Sequence, residues 1–131
     1  MSAVEQDEGQ VASTAAFLCA SLKEGSRVLG VDPISTLIIL SAMQEREARP
    51  RSASALSRQL GLPRETARRR VRALQDAGFF APPSQAQEAL ELVERAEIAA
   101  LSVMLSDLAL HHALTWEPEI LSVEGQVPAP V

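Results

Sequence analysis

The feature that most constrains this chain is residues 52–80, SASALSRQLGLPRETARRRVRALQDAGFF, in which two short helical stretches are punctuated by Gly61-Leu62-Pro63. Ser52 stands where a side-chain oxygen can accept from the first amides of a helix over residues 53–60. Gly61 supplies the positive φ that a sharp turn needs. Pro63 suits the start of a second helix, because its fixed φ is helical and its missing N–H would have no partner there anyway. Gly78 is a typical C-terminal stop. The spacing predicts a helix-turn-helix whose second helix spans 63–77.

That second helix has two faces. Ala67, Val71, Leu74 and Gly78 recur at helical spacing and would face a core. Glu65, Arg69, Arg72 and Asp76 point the other way, with Arg68 on the flank. Residues 49–72 hold eight arginines against one acid, Glu65, a charge of +7 inside a chain of net charge −5, so the remaining residues carry −12. Polyanion binding by the whole protein is disfavoured, whereas this one face is built for it. A merely solvated face mixes signs in i,i+4 pairs. Within residues 49–72 only Glu65 and Arg69 have that spacing, and Arg68, Arg69 and Arg70 repel one another. Arg70 lies about 60° from the centre of the apolar stripe, which suits a structural ion pair better than a ligand contact.

The stretch resembles the helix-turn-helix of bacterial winged-helix transcription regulators. Leu56, Leu60, Gly61, Leu62, Thr66, Ala67, Val71, Leu74 and Gly78 stand at that family's spacing. RETARR, residues 64–69, is similar to the recognition helix of the cyclic-AMP receptor family. There an arginine, the next glutamate and an arginine four residues later read base edges, which the resemblance places at Arg64, Glu65 and Arg69. No cyclic-nucleotide domain fits in 131 residues, so this likeness is confined to the DNA-reading unit. The flanking helices resemble the layout of multiple-antibiotic-resistance-type (MarR) regulators, which pair through their terminal helices. The resemblance implies a mainly α fold, a helix-turn-helix or winged-helix domain with N- and C-terminal dimerisation helices. Residues expected to meet double-stranded DNA are Ser52, Arg58, Arg64, Glu65, Thr66, Arg68, Arg69 and Arg72.

A chain of this length fits one domain. It has 47% hydrophobic residues, three phenylalanines, one tryptophan and no tyrosine, a composition that favours helices over a strand-rich sandwich. Cys19, the sole cysteine, sits in AAFLCASL and is expected to be buried and inert. The acidic start MSAVEQDEGQ does not read as a secretory signal. The most apolar stretch, residues 34–43, is about half the length of a membrane span. A soluble, cytoplasmic, bacterial protein with no membrane contact is the expectation.

Taken in order, residues 1–10 are expected to be disordered and residues 11–116 to form the single domain. A first helix over 11–29 should bury Ala15, Leu18, Cys19, Leu22 and Val28, with Gly25 weakening it and Gly30 ending it. Asp32-Pro33 is a cap and first position for a second helix, ISTLIILSAMQERE, apolar nearly all round. After Gly78 the segment FFAPPSQAQEALELV leaves two arrangements open. It can form a short or degenerate wing, with strands at Phe79-Phe80 and 89–93 and a turn at 84–87, or Ser84 can cap one long helix. A C-terminal helix is expected over about 88–114, with Trp116 pinning its end and 117–131 as a tail. Glu88, Glu91, Glu94 and Glu97 would make a solvated acidic ridge. Residues 98–110 are apolar around most of the circumference, which implies burial on several sides. A second copy is the economical cover, with Leu101, Met104, Leu105 and Leu108 at the dimer contact.

His111 and His112 are adjacent, hence about 100° apart on a helix, and cannot share a metal as an i,i+4 pair can. No phosphate-binding glycine loop and no Ser/His/Asp spacing is present. The chain therefore reads as a non-enzyme without cofactor or metal. The leading function is a homodimeric DNA-binding transcription regulator. The alternative is a winged-helix protein-interaction module whose arginines meet an acidic partner. A small-molecule effector would have a groove between the DNA unit and the dimer helices.

Overall fold

The computed structural model describes residues 3–82 and 90–116. Five α-helices occur in chain order among these residues: α1 (Ala3–Leu29), α2 (Pro33–Ala42), α3 (Ala53–Leu60), α4 (Arg64–Asp76) and α5 (Ala96–Trp116). The predicted mainly helical fold with a helix-turn-helix is what is found. α2, α3 and α4 form the helix-turn-helix unit, and the long α1 packs along α5.

α1 begins at Ala3 rather than at residue 11, and its inward face differs from the expected one. Leu18 is 56% exposed, and Ala15 and Cys19 are exposed too, so the thiol is not buried. Ser21, Gly25 and Leu29 face inward instead. Gly25 does not weaken a free helix; it permits a close crossing. A Cβ at that position would lie 3.1 Å from Thr36 Cγ2 of α2 and 3.4 Å from Leu101 Cδ1 of α5. The three helices meet there because one of them lacks a side chain.

Asp32 caps α2 by accepting from the Ser35 amide at 3.4 Å and the Ser35 hydroxyl at 2.5 Å. Ile38 and Ile39 have no exposed surface, as a central helix requires. α2 was expected to continue through residue 47 but stops at Ala42. Residues 44–49 are all exposed, so no packing rewards a longer helix, and the chain tightens into a 3-10 turn at Arg46–Ala48.

The wing is reduced among the described residues to one antiparallel bridge, Phe80 with Leu92. The Ala81 amide donates to the Glu91 carbonyl and the Val93 amide to the Phe79 carbonyl, each at 2.9 Å. The expected turn at 84–87 lies outside the described residues. This pairing explains why α5 starts at Ala96 and not near residue 88 or 91: residues 91–93 are held as extended chain against Phe79–Ala81. Glu91 and Glu94 therefore precede the helix and no acidic ridge with Glu97 forms on it; Glu88 lies outside the described residues. The Trp116 side chain, expected to pin the helix end, is likewise not described.

Leu101 differs most from expectation. It has no exposed surface and belongs to the core of its own chain, with Met104 and Leu105 packed against that core. Leu101 is therefore covered within its own chain, whereas Met104, Leu105 and Leu108 of the stripe expected at the dimer contact are half-buried.

Candidate nucleic-acid interface

Three local devices build the turn that presents α4. Ser52 caps α3, its Oγ accepting from the Ala55 amide at 3.1 Å. Gly61 closes α3 at φ +68°, and its amide bonds back to the Ser57 carbonyl. Ser57 then bridges the turn: its carbonyl accepts from the Leu62 amide at 3.0 Å, and its hydroxyl donates to the Leu62 carbonyl at 2.5 Å. Ser57 is buried, and sequence reading missed it, because a serine in a short helix carries no periodicity signal. Pro63 stands at the cap position and α4 proper begins with Arg64.

Ala67, Val71 and Leu74 are buried, with Leu56 of α3 in the same core cluster. That burial fixes the rotation of α4 about its axis. Arg64, Glu65, Arg68, Arg69 and Arg72 are consequently exposed, Thr66 is half-buried at the edge, and Arg58 is exposed on the last turn of α3. The predicted contact residues Arg58, Arg64, Glu65, Thr66, Arg68, Arg69 and Arg72 therefore lie on α3 and α4, with Ser52 at the cap of α3, all but Thr66 exposed.

The charges on this face are sorted by pairing. Glu65 pairs with Arg68, not with Arg69: Arg68 Nε donates to Oε2 at 3.1 Å and Nη2 to Oε1 at 2.5 Å. The hydrogen bond from Arg68, with the Arg68 and Arg69 charges, holds the Glu65 carboxyl below its ordinary range, and the same bond raises Arg68. A bidentate fork is geometrically stronger than a single contact, which is why the i+3 partner wins over the i+4 one. Arg70 turns inward and meets Asp32 at 2.7 Å. Desolvation raises the Asp32 carboxyl, but the Ser35 hydroxyl and amide and the Arg70 guanidinium outweigh it, and the group sits below its ordinary value. Arg58, Arg64, Arg69 and Arg72 make no ion pair among the described residues.

Arg95 is a further residue that sequence reading missed. Its Nη1 donates to the Ala77 carbonyl at 2.7 Å, just beyond α4, its guanidinium lies 4.2 Å from the Phe79 ring centre, and it pairs with Glu97. A cation there complements the carbonyl end of the helix. Gly78, at φ +86°, leaves room for it: a Cβ would sit 3.2 Å from Arg95 Nη1. One arginine outside the basic cluster thus anchors the C-terminal end of α4 to the start of α5.

Among the described residues an apolar cleft of about 260 Å³ lies between α1 and α5, lined by Ser13, Phe17, Leu108 and His112 among others. His112 stacks on Phe17 with ring centres 4.9 Å apart, and its Nδ1 is 3.0 Å from Ser13 Oγ.

Residues 37–79 match the family model of a helix-turn-helix domain. The match covers most of α2 and all of α3 and α4, and leaves out α1 and α5. No curated protein and no solved structure matches the chain. The matched segment carries the exposed arginines described above, which suggests a DNA-binding unit. No single helix among the described residues is long and apolar enough to cross a membrane.

Proposed function

We propose that this protein is a non-enzymatic, cytoplasmic transcription regulator that reads duplex DNA with α4 as a homodimer. The observation that carries the reading is the sorting of charge on α4. Its apolar stripe is buried, two of its arginines are held by carboxylates, and Arg64, Arg69 and Arg72 project outward with Arg58 beside them. Residues near the N-terminal end of such a helix meet base edges in the major groove. On this reading Arg64 and Arg69 donate to guanine, and Glu65, paired with Arg68, accepts from cytosine. Ser52 and Arg58 would then contact phosphate, with Thr66 at the margin of the groove. This agrees with the resemblance to the cyclic-AMP receptor recognition helix at Arg64, Glu65 and Arg69.

The test is binding of labelled duplex DNA over a range of salt concentrations. Four arginines without carboxylate partners per protomer give a log–log salt slope of roughly −4 for one copy and about −7 for a pair. Selection from random duplexes should return an inverted repeat with half-sites about 10 base pairs apart or a multiple of that. Salt-insensitive or absent DNA binding, with capture of an acidic protein through the same arginines, would replace this reading with the interaction-module one.

A further inference from the structure

We infer that Arg49 and Arg51, which flank Pro50 in the connection between α2 and α3, form a second contact to duplex DNA and hold the phosphate backbone beside the half-site that α4 reads. The inference rests on the DNA reading proposed above and adds a surface to it. Neither arginine belongs to the face formed by α3 and α4.

The connection is built to hold these two side chains outward. Pro50 is fully buried, and its carbonyl accepts from the Leu90 amide at 3.3 Å. The proline is thus pinned to the body of the protein through both its ring and its backbone. A residue before proline is confined to extended backbone, and Arg49 lies there, at φ −69° and ψ 137°. Neighbours in extended chain point to opposite sides. Pro50 points in, and Arg49 and Arg51 are both exposed. The Arg49 Nε donates to the Gln44 carbonyl at 2.7 Å, which closes the loop and uses one of the five donors of the guanidinium.

The charges of this loop are not resolved into pairs. Glu45 and Glu47 stand in the same connection and are exposed, yet among the described residues neither Arg49 nor Arg51 forms an ion pair. A surface that only keeps a chain soluble pairs its signs.

Position selects the partner. In a helix-turn-helix the first helix crosses the DNA backbone while the second enters the major groove. Here α3 is the first helix, and Arg51 directly precedes its cap, Ser52. The two arginines therefore stand at the start of the element that meets the backbone, where contacts fix register and carry no sequence information. The chain that pairs with Pro50 cannot supply this contact. Residues 81–94 hold Glu88, Glu91 and Glu94 and no lysine or arginine, so phosphate repels them.

The test is binding of the full chain to its selected duplex and to a scrambled duplex of equal length. Two phosphate contacts contribute about −1.8 to the log–log salt slope of one copy. Arg49→Gln/Arg51→Gln should lose that amount, so its deficit against the wild type should shrink by about 12-fold between about 50 and 200 mM salt. The deficit should be equal on the two duplexes, with base preference unchanged. Arg51→Gln alone keeps the Arg49 bond to Gln44 and should lose half as much slope with an unchanged Tm. A wild-type slope in both variants overturns the contact. A deficit confined to the selected duplex also overturns it, as does a lowered Tm with the slope unchanged. Arg69→Ala, measured alongside, keeps the two readings apart. Relaxed base preference in Arg69→Ala with a wild-type slope in the double variant defeats this contact and leaves α4 as the reader. A wild type that binds neither duplex defeats the DNA reading itself, and this contact with it.

Discussion

Replacing Gly25 with alanine sets two effects of opposite sign against each other, and the surroundings of Gly25 decide between them. In an open helix the change should stabilise by about 0.5–1 kcal/mol, through the unfolded-chain entropy that glycine carries. At Gly25 the new Cβ lies 3.1 Å from Thr36 Cγ2 and 3.4 Å from Leu101 Cδ1. Thr36 cannot easily move aside. It is fully buried, its hydroxyl is 3.0 Å from the Asp32 carbonyl and 2.9 Å from Ser26 Oγ, and a β-branched χ1 is stiff. Overpacking of this kind costs about 1–3 kcal/mol, so Gly25→Ala should destabilise by about 1 kcal/mol net. Gly9 is the control on the same helix, because a Cβ there meets nothing within 4 Å. Gly9→Ala should raise the midpoint of urea unfolding and Gly25→Ala should lower it, with Tm shifts of about 3–5 °C in opposite directions. Adding Thr36→Ser removes the clashing methyl and keeps the hydroxyl, so the double variant should recover most of the loss. Equal stabilisation by the two alanines would refute the three-helix crossing at Gly25.

Two further outcomes follow from the pairing of charges on α4. Arg69→Ala should weaken binding to a selected site by about 1–3 kcal/mol and relax the preference at one base position; uniform weakening on all duplexes would mean that Arg69 touches only phosphate. Asp32→Asn should destabilise above pH 5 and converge with the wild type in acid. The native Asp32 carboxyl lies below its ordinary value of 3.8, so its contribution is present above that value and is lost as the pH falls through the native one. A stability difference that stays constant between pH 6 and pH 3 would show that the native carboxylate gains nothing from Ser35 and Arg70.

What could be read from sequence divides by the range of the interaction that decides each feature. Ser52, Gly61 and Gly78 act on their own backbone within a few residues, and each adopts the role its chemistry dictates. The buried stripe of α4 follows from periodicity alone. The inward face of α1 does not, because it is made of Ser21 and Gly25, and burial of small residues at a close crossing leaves no hydrophobic signal. Hydropathy puts Leu18 and Cys19 inside, yet both lie outside for the same reason. α5 starts later than its composition predicts, because residues 91–95 are helix-forming in type but are captured by tertiary partners, Phe79 through Ala81 and the Phe79 ring. The choice of Arg68 over Arg69 by Glu65 is a matter of side-chain geometry that spacing cannot rank. In the candidate site, residue identities were therefore legible and their pairing was not.

Asp32 connects the two halves of the proposed mechanism. It caps α2 through Ser35 and holds Arg70 of α4 at 2.7 Å. One turn along α2, Thr36 bonds Ser26 of α1 and faces Gly25, which abuts Leu101 of α5. At the other end of α4, Arg95 ties the Ala77 carbonyl to the approach to α5. Both ends of α4 are thus referenced to α5, one through α2 and α1 and the other through a single guanidinium. The Asp32–Arg70 pair is more than a third exposed on each side and adds little to stability; its effect is to fix orientation. In the proposed homodimer, the separation of two α4 helices would be set through these connections, which lie partly outside the segment matching the helix-turn-helix family. Changes along α1 and α5 would then alter the spacing of half-sites without altering the bases that each half-site contains.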